Sequence, residues 1–341
     1  MIDWSAQQRV TVLMPTPIGD VCMATPTLQL LRERLPEGAV ITAVVRPGRK
    51  PLLHGLASVD DVIECNPRRV LGPLRAGRRI AETHPDTVLV LPGSFRSALI
   101  ARFGGRCRRV GYARDRRAWL LTDAIKPPDR STPVSTIAWY QGLVDPDAPE
   151  GTPTLVVTDE DRAAAASVMP PSHTPFVVLG PGAAKREDKR WPAERFAAVA
   201  NALHERFGWT TVIAGSASER VLTHSVASTC NGPVVDLAAA SGSLGALKAI
   251  AADAELVVSN DIGPRHVALA VGTPVISLFG PTDHRWTIIP GVSERRLLAE
   301  PFLPQDLSAD ACAAACSIDR IVVGDVLGAV DSLTTTSTHG G

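Results

Sequence analysis

Short runs of Val, Leu and Ile alternate with Ala-rich segments of helical period along this chain, and the alternation runs through twice. The first series reads "VTVLM", a helix over 21–35, "VITAVV", "VIEC", "TVLVL", a helix over 97–103, and "RVGY". Apolar runs without polar alternation suit strands buried on both faces, so the pattern predicts strand-helix units around a parallel sheet. The segment "DPDAPEGTPTLVV" then interrupts it with the Pro, Gly and Asp of an exposed connection. After a helical pattern at 159–168 the series restarts: "PFVVLGPG", a helix at 192–207, "TTVIAG", a helix at 218–229, "VVDLA", a helix at 243–252, "AELVVSN", a helix at 264–271, and "PVISLFG". A last helix is predicted near 320–333. The reading is α/β, with two Rossmann-like doubly wound domains in tandem, 1–155 and 156–333, and a disordered tail at 334–341.

Charge separates the halves. The whole chain is formally neutral, yet residues 1–150 hold 21 Lys and Arg against 15 Asp and Glu, while the remainder hold 14 against 20. An Arg-rich first half and an acidic second half suggest different ligands, and the neutral total gives no signal for nucleic acid. Six scattered cysteines in a chain of this size do not make a disulfide framework. The start, "MIDWSAQQRV", has neither a basic nor an apolar leader segment, and no run is long enough to span a bilayer. A cytoplasmic protein is expected.

Ligands of open parallel sheets bind beyond the carboxyl ends of strands, so the loops that follow strands carry the candidates. In "NDIGPRH", Gly263 permits close backbone approach and Pro264 suits a first helical turn, leaving amides to face an anion, with His266 as a further donor. The competing reading is a capped turn, with Asp261 accepting those amides. Lys189 in "EDKRWP" precedes a helix at the end of the second domain's first strand, where an amine neutralises a diphosphate. The competing reading is a solvated charge run with Arg186, Glu187, Asp188 and Arg190. Glu219 in "GSASER" is placed like the carboxylate that grips a ribose diol, or is a simple cap. In the first domain, "PTPIGDVCMATP" puts Gly19 and Asp20 at a turn after the first strand. There Asp20 is either a base for an acceptor hydroxyl or a plain N-cap.

Two motifs are set aside. "DPD" at 145–147 looks like a metal clamp, but no strand leads into it. "CAAAC", Cys312 to Cys316, lacks the partners of a zinc site and is read as structural thiols. Neither first strand is followed by G-x-G-x-x-G, and "GPGAAK" lacks Walker spacing.

The blocks "IGDVCMATPTLQLLRERLP", "VLPGSFRSALIARFGG", "LGPGAAKREDKRWPAERFAAVA", "VIAGSASE" and "SNDIGPRHVALAVGTPVISLFGPTD" resemble, in order and spacing, those of the glycosyltransferase family 9 heptosyltransferases, most of all the type II enzymes. The resemblance implies a GT-B fold, its two Rossmann-like domains facing a central cleft. It implies inverting, metal-independent transfer of a heptose from ADP-heptose to a lipopolysaccharide inner core (Kdo-lipid A), by a monomer that touches the inner face of the inner membrane. By the same resemblance Asp20 is the base, and Lys189, Glu219, Asp261, Ile262, Gly263 and His266 form the donor site. Gly19, Arg96, Arg114 and Arg117 are expected at the acceptor, the three arginines belonging to "FRSALIARFGGRCRRVGYARDRR" and suiting phosphates or Kdo carboxylates. No cofactor or metal is expected. Ile262 stands where Ser or Thr is usual, and Arg265 where an apolar residue is usual. The alternatives are a GT-B transferase or epimerase for another sugar nucleotide, and a catalytically idle sugar-nucleotide or lipid-A binding protein.

Overall fold

The computed structural model describes residues 2–66, 71–129, 133–171, 174–183, 186–299 and 316–337. It divides into two compact units, the first being Met1–Val156 with Trp286–Pro290, the second Val157–Arg285 with Gly291–Gly341. The return of Trp286–Pro290 to the first unit departs from a simple cut of the sequence.

The first unit runs β1 (Arg9–Leu13), α1 (Ile18–Met23), α2 (Thr25–Arg34), β2 (Val40–Val45), β3 (Asp61–Glu64), α3 (Gly72–Ala81), β4 (Thr87–Val90), α4 (Phe95–Phe103), β5 (Arg108–Tyr112), β6 (Asp123–Ile125) and α5 (Thr136–Gln141). Its six strands are ordered β3-β2-β1-β4-β5-β6, with each adjacent pair parallel. The single helix expected over 21–35 is two, because Pro26 has no amide hydrogen with which to bond the Cys22 carbonyl. The Thr25 hydroxyl donates to that carbonyl instead, at 2.8 Å. Helix α3 escapes the sequence pattern because its buried positions include the small residues Gly72, Ala76 and Gly77. They are small for a reason: a Cβ on Gly77 would strike the backbone of Phe103 in α4.

The second unit runs α6 (Asp159–Ala166), β7 (Phe176–Gly180), α7 (Ala193–Phe207), β8 (Thr210–Ile213), α8 (Arg220–Ala227), β9 (Val234–Asp236), α9 (Leu244–Asp253), β10 (Leu256–Asn260), α10 (Gly263–Val271), β11 (Val275–Phe279), β12 (Glu294–Leu298) and α11 (Val323–Ser337). Its order, β12-β11-β10-β7-β8-β9, repeats the first sheet's in its own numbering. Helix α7 buries Phe196, Ala197, Val199, Ala200 and Leu203, the i, i+3, i+4, i+7 stripe that faces a sheet. Helix α11 passes the end expected at 333 and reaches Ser337, since its Leu333 packs on the core and no Pro or Gly stops it there. Residues 338–341 of the expected tail lie outside the described residues. In both sheets chain order reverses between the first and fourth strands, β1/β4 and β7/β10, where such folds bind ligands. Among the described residues no helix is long and apolar enough to cross a membrane.

Candidate active site

Each unit gathers predicted residues at its own reversal point. In the first, Pro17 is the N-cap of α1 and makes no side-chain cap, so Asp20 is a first-turn residue rather than the cap itself. The half-buried Asp20 lines a cavity of about 230 Å³ with Leu91 and Gly93 from the loop after β4, Arg114 after β5, and Trp286. Val134, Thr136, Trp139 and Tyr140, at and before α5, complete the wall. The Thr136 hydroxyl donates to the Trp286 carbonyl at 2.8 Å, which fastens the returning segment to α5. Burial pushes the Tyr140 phenol well above its ordinary range, and the nearby Asp20 carboxylate adds to the shift. The Arg114 guanidinium carbon lies 5.4 Å from the Trp139 ring centroid, a cation stacked on an aromatic face.

The other residues expected at the acceptor fall elsewhere. Gly19 is buried within α1, and Arg96 is an exposed second residue of α4; neither lines the cavity. Arg117 is wholly buried, which corrects its assignment to acceptor binding. It donates to the carbonyls of Tyr112 at 2.9 Å, Pro92 at 2.5 Å and Ser94 at 3.1 Å, and to the Ser97 hydroxyl at 2.9 Å. Burial pushes its pKa down to about 10. Its Nε and Nη1, committed to these four backbone and hydroxyl oxygens, brace the loops that carry Gly93 and Arg114. An Arg-rich stretch gives no sign of which arginine turns inward.

In the second unit three loops meet at Gly182. Asn260, at the end of β10, donates to the carbonyls of Pro181 at 2.9 Å and Gly182 at 3.1 Å, and accepts from the Trp191 amide at 3.3 Å. A Cβ on Gly182 would collide with the Glu219 carboxylate, so glycine is needed for that approach. Glu219 itself closes a capping box, accepting from the Ser216 amide at 3.0 Å and hydroxyl at 2.7 Å. Sequence reading missed Asn260, although it stands next to Asp261.

The charge run around Lys189 resolves into pairs. Arg186 grips Asp188 with two hydrogen bonds of 2.8 and 2.7 Å, and Arg190 meets Glu187 at 3.1 Å. Among the described residues of the run, Lys189 alone is a cation with no carboxylate of its own, and it is half-buried. Its charge reaches Asp261. Helix α10 starts from Ile262, which provides no side-chain cap, and has Pro in its first turn. Asp261, the residue before Ile262, turns to side chains. Asp261 Oδ1 lies 3.1 Å from Arg265 Nη1 and 3.5 Å from His266 Nε2. Burial opposes its charge, but the His266 hydrogen bond and the Arg265, His266 and Lys189 charges hold the carboxyl well below its usual range. His266 is 4% exposed, its pKa lowered by burial and by Arg265, and its Nδ1 has no partner.

The sequence profile of glycosyltransferase family 9 (heptosyltransferase) matches residues 74–299, more than half of the chain. The chain belongs to glycosyltransferase family 9. It is thus a glycosyltransferase, and its similarity to other family 9 members runs through both units. It is 28% identical to lipopolysaccharide heptosyltransferase 2 of Escherichia coli K12 over 302 residues, 82% of this chain and 84% of that one. Its fold matches the structure of E. coli ADP-heptose lps heptosyltransferase II with a TM-score of 0.83, covering 97% of this chain and 99% of the other at 23% identity. An E. coli heptosyltransferase solved with ADP-2-deoxy-2-fluoro heptose matches with a TM-score of 0.69 at 19% identity, over 95% of this chain and 99% of that one. The fold is therefore GT-B.

Arg265 is accommodated by local compensation. Fully buried, it has Nε 2.6 Å from Glu294 Oε1 and 3.0 Å from Ser277 Oγ, and its guanidinium carbon lies 5.0 Å from the Phe279 ring centroid. The rejected "DPD" is occupied too, with Asp145 paired to Arg34 at 2.7 Å. Cys316 is buried, and Cys312 lies outside the described residues.

Proposed function

We propose that this chain moves a heptose from ADP-heptose to the inner core of lipopolysaccharide, with inversion at the anomeric carbon and without a metal ion. The observation that carries the reading is Lys189, which among the described residues makes no ion pair in a run of paired charges and lies close enough to act on Asp261 beside the start of α10, where Ile262 offers no side-chain cap. A diphosphate satisfies both at once: the amine neutralises its charge and the first-turn amides donate to its oxygens. Glu219 suits the ribose hydroxyls, and the Asp261 carboxylate the sugar hydroxyls, with His266 as its neighbour.

The acceptor reading rests on the first unit's cavity, where Asp20 and Arg114 share one wall with Trp139 and Tyr140. Arg114 suits an acidic sugar or phosphate. Asp20 takes the proton of the acceptor hydroxyl as its oxygen bonds to the anomeric carbon, and the bond from that carbon to the diphosphate oxygen breaks. The electron pair leaves with ADP, whose developing charge Lys189 and the α10 amides stabilise. Attack opposite the leaving group inverts the centre. The names of the relatives, lipopolysaccharide heptosyltransferase 2 and a heptosyltransferase solved with an ADP-heptose analogue, support this choice of donor and acceptor.

The test is mass spectrometry of lipopolysaccharide core from a strain lacking this chain, together with transfer by the purified protein in excess EDTA. Loss of one heptose and EDTA-resistant transfer are expected. An unchanged core sinks the substrate assignment, and activity abolished by EDTA and restored by Mg²⁺ or Mn²⁺ sinks the metal-free mechanism.

A further inference from the structure

One side chain closes the loop that carries Lys189. Asn260 ends β10, is wholly buried, and turns its carboxamide toward the loop after β7. Nδ2 gives one hydrogen to the Pro181 carbonyl at 2.9 Å and the other to the Gly182 carbonyl at 3.1 Å, while Oδ1 accepts from the Trp191 amide at 3.3 Å. Residues 181 and 182 begin the loop and residue 191 ends it, so both feet of the loop stand on the same side chain. The arrangement selects asparagine. It needs two hydrogens to give and one acceptor on a single short stem; a carboxylate would face two carbonyl oxygens, and a flipped amide would do the same.

The second foot is anchored again. Trp191 is wholly buried, its indole Nε1 donating to the Ile321 carbonyl at 2.8 Å and its ring meeting Phe196 edge-on with centroids 5.0 Å apart. Lys189 closes the short 3-10 turn Glu187–Lys189, two residues before that foot. The pairs Arg186–Asp188 and Arg190–Glu187 lie within the run and do not tie it to the sheet. On the strand side, the residue after Asn260 is Asp261, which the Lys189 charge reaches. We infer that Asn260 is a positioning residue: by pinning both feet of the loop to the end of β10, it fixes where the Lys189 amine stands relative to Asp261 and the start of α10, and so how tightly the site holds a nucleoside diphosphate. The effect on the diphosphate rests on the donor reading of Lys189 given above, whereas the pinning does not.

Calorimetric titration of ADP into the wild type, Asn260→Ser, Lys189→Ala and the double variant tests it. A serine hydroxyl is too short to span both feet and has one hydrogen to give. Asn260→Ser should weaken ADP binding roughly tenfold, and Lys189→Ala should then cost far less than it costs in the wild type, because an amine no longer held in place has little contact left to lose. Asn260→Asp leaves no cavity and sets a carboxylate against the two carbonyls, so it gives the same cycle where the serine variant does not fold. Thr273→Val is the control for stability alone. It removes a buried hydrogen bond, from Thr273 Oγ1 to the Ala251 carbonyl at 2.5 Å, beyond the last residue of α10, and should lower the melting temperature with ADP affinity unchanged. An equal Lys189→Ala loss in both backgrounds overturns the positioning role while leaving Lys189 at the diphosphate. A Thr273→Val loss as large as that of Asn260→Ser also overturns it, since affinity then follows stability. No Lys189→Ala loss in either background overturns both readings, by taking the diphosphate away from Lys189.

Discussion

Arg265 Nε lies 2.6 Å from Glu294 Oε1 with both side chains buried, so a charged residue of an edge strand neutralises a charged residue of α10. Ser277 Oγ joins the pair from β11, 2.5 Å from Glu294, and Arg265 Nη1 reaches on to Asp261. The Asp261 carboxylate thus inherits its position from a residue of β12. The start of α10 and the sheet edge should therefore fail together.

The first prediction tests that coupling. Removing Glu294 leaves the buried Arg265 with Asp261 alone, so Glu294→Ala should cost stability, at most about the 3–5 kcal/mol of a broken buried pair. Arg265→Met should also be costly, because Glu294 and Asp261 lose the buried cation they share. The double variant Arg265→Met/Glu294→Met fills the space with apolar groups and should be clearly more stable than the two single costs added. Urea denaturation of the four proteins gives the cycle, and additive costs would mean that the pair is not coupled.

Acid sensitivity follows from His266. Burial and the Arg265 charge lower its folded pKa below the ordinary value near 6.5, so the unfolded chain binds its proton first. A depressed pKa gives stability that is present above about pH 6.5 and is lost as pH falls, at up to about 1.4 kcal/mol per pH unit. Asp261, also held low, adds its own loss only below about pH 4. His266→Gln should flatten the slope of unfolding free energy between about pH 6.5 and 5. If the variant keeps the wild-type slope, the titration belongs to another group.

Asp20 is tested by Asp20→Asn, which preserves shape and removes the base. ADP affinity should stay as in wild type, because the diphosphate contacts assigned here lie in the second unit. Turnover should fall by roughly 10² to 10⁴. Near wild-type turnover would remove Asp20 from the chemistry and leave it a first-turn carboxylate of α1.

Much of this was legible in the sequence, for physical reasons that also mark where legibility ends. Central strands such as "FVVLG" and "LVVSN" are buried on both faces and announce themselves as apolar runs. Of the edge strands, β3 and β9 were legible as "VIEC" and "VVDLA", but β6 and β12 were not: β6 is only "DAI", and β12, "ERRLL", spends its first charge on Arg265. Loops after strands pointed to Asp20, Lys189 and Asp261, because chain order alone places such loops at the reversal points. What pairs with a residue across the fold was not readable. Trp286 follows β11 in sequence yet lines the Asp20 cavity, and Arg117 sits among exposed arginines yet is buried. Neither fact has a local pattern, since each depends on which distant carbonyl or wall the folded backbone supplies.

The final prediction separates Lys189 from the charges beside it. If its amine contacts the donor diphosphate, Lys189→Ala removes a charge-assisted contact of about 1.5–3 kcal/mol, roughly ten- to a hundredfold in ADP affinity. Arg186→Ala removes the same formal charge from the same run, but Arg186 is already committed to Asp188 through two hydrogen bonds. Its loss frees an exposed carboxylate, and its field at the α10 start is partly cancelled in the wild type. Its cost in ADP affinity should therefore stay within a fewfold, as for other exposed pairs. Asp188→Ala completes the comparison, because it releases Arg186 and should tighten ADP slightly if only the positive field matters. Calorimetric titration of ADP into the three variants decides the matter: equal, small losses for Lys189→Ala and Arg186→Ala would make Lys189 surface charge and move the donor site away from the start of α10.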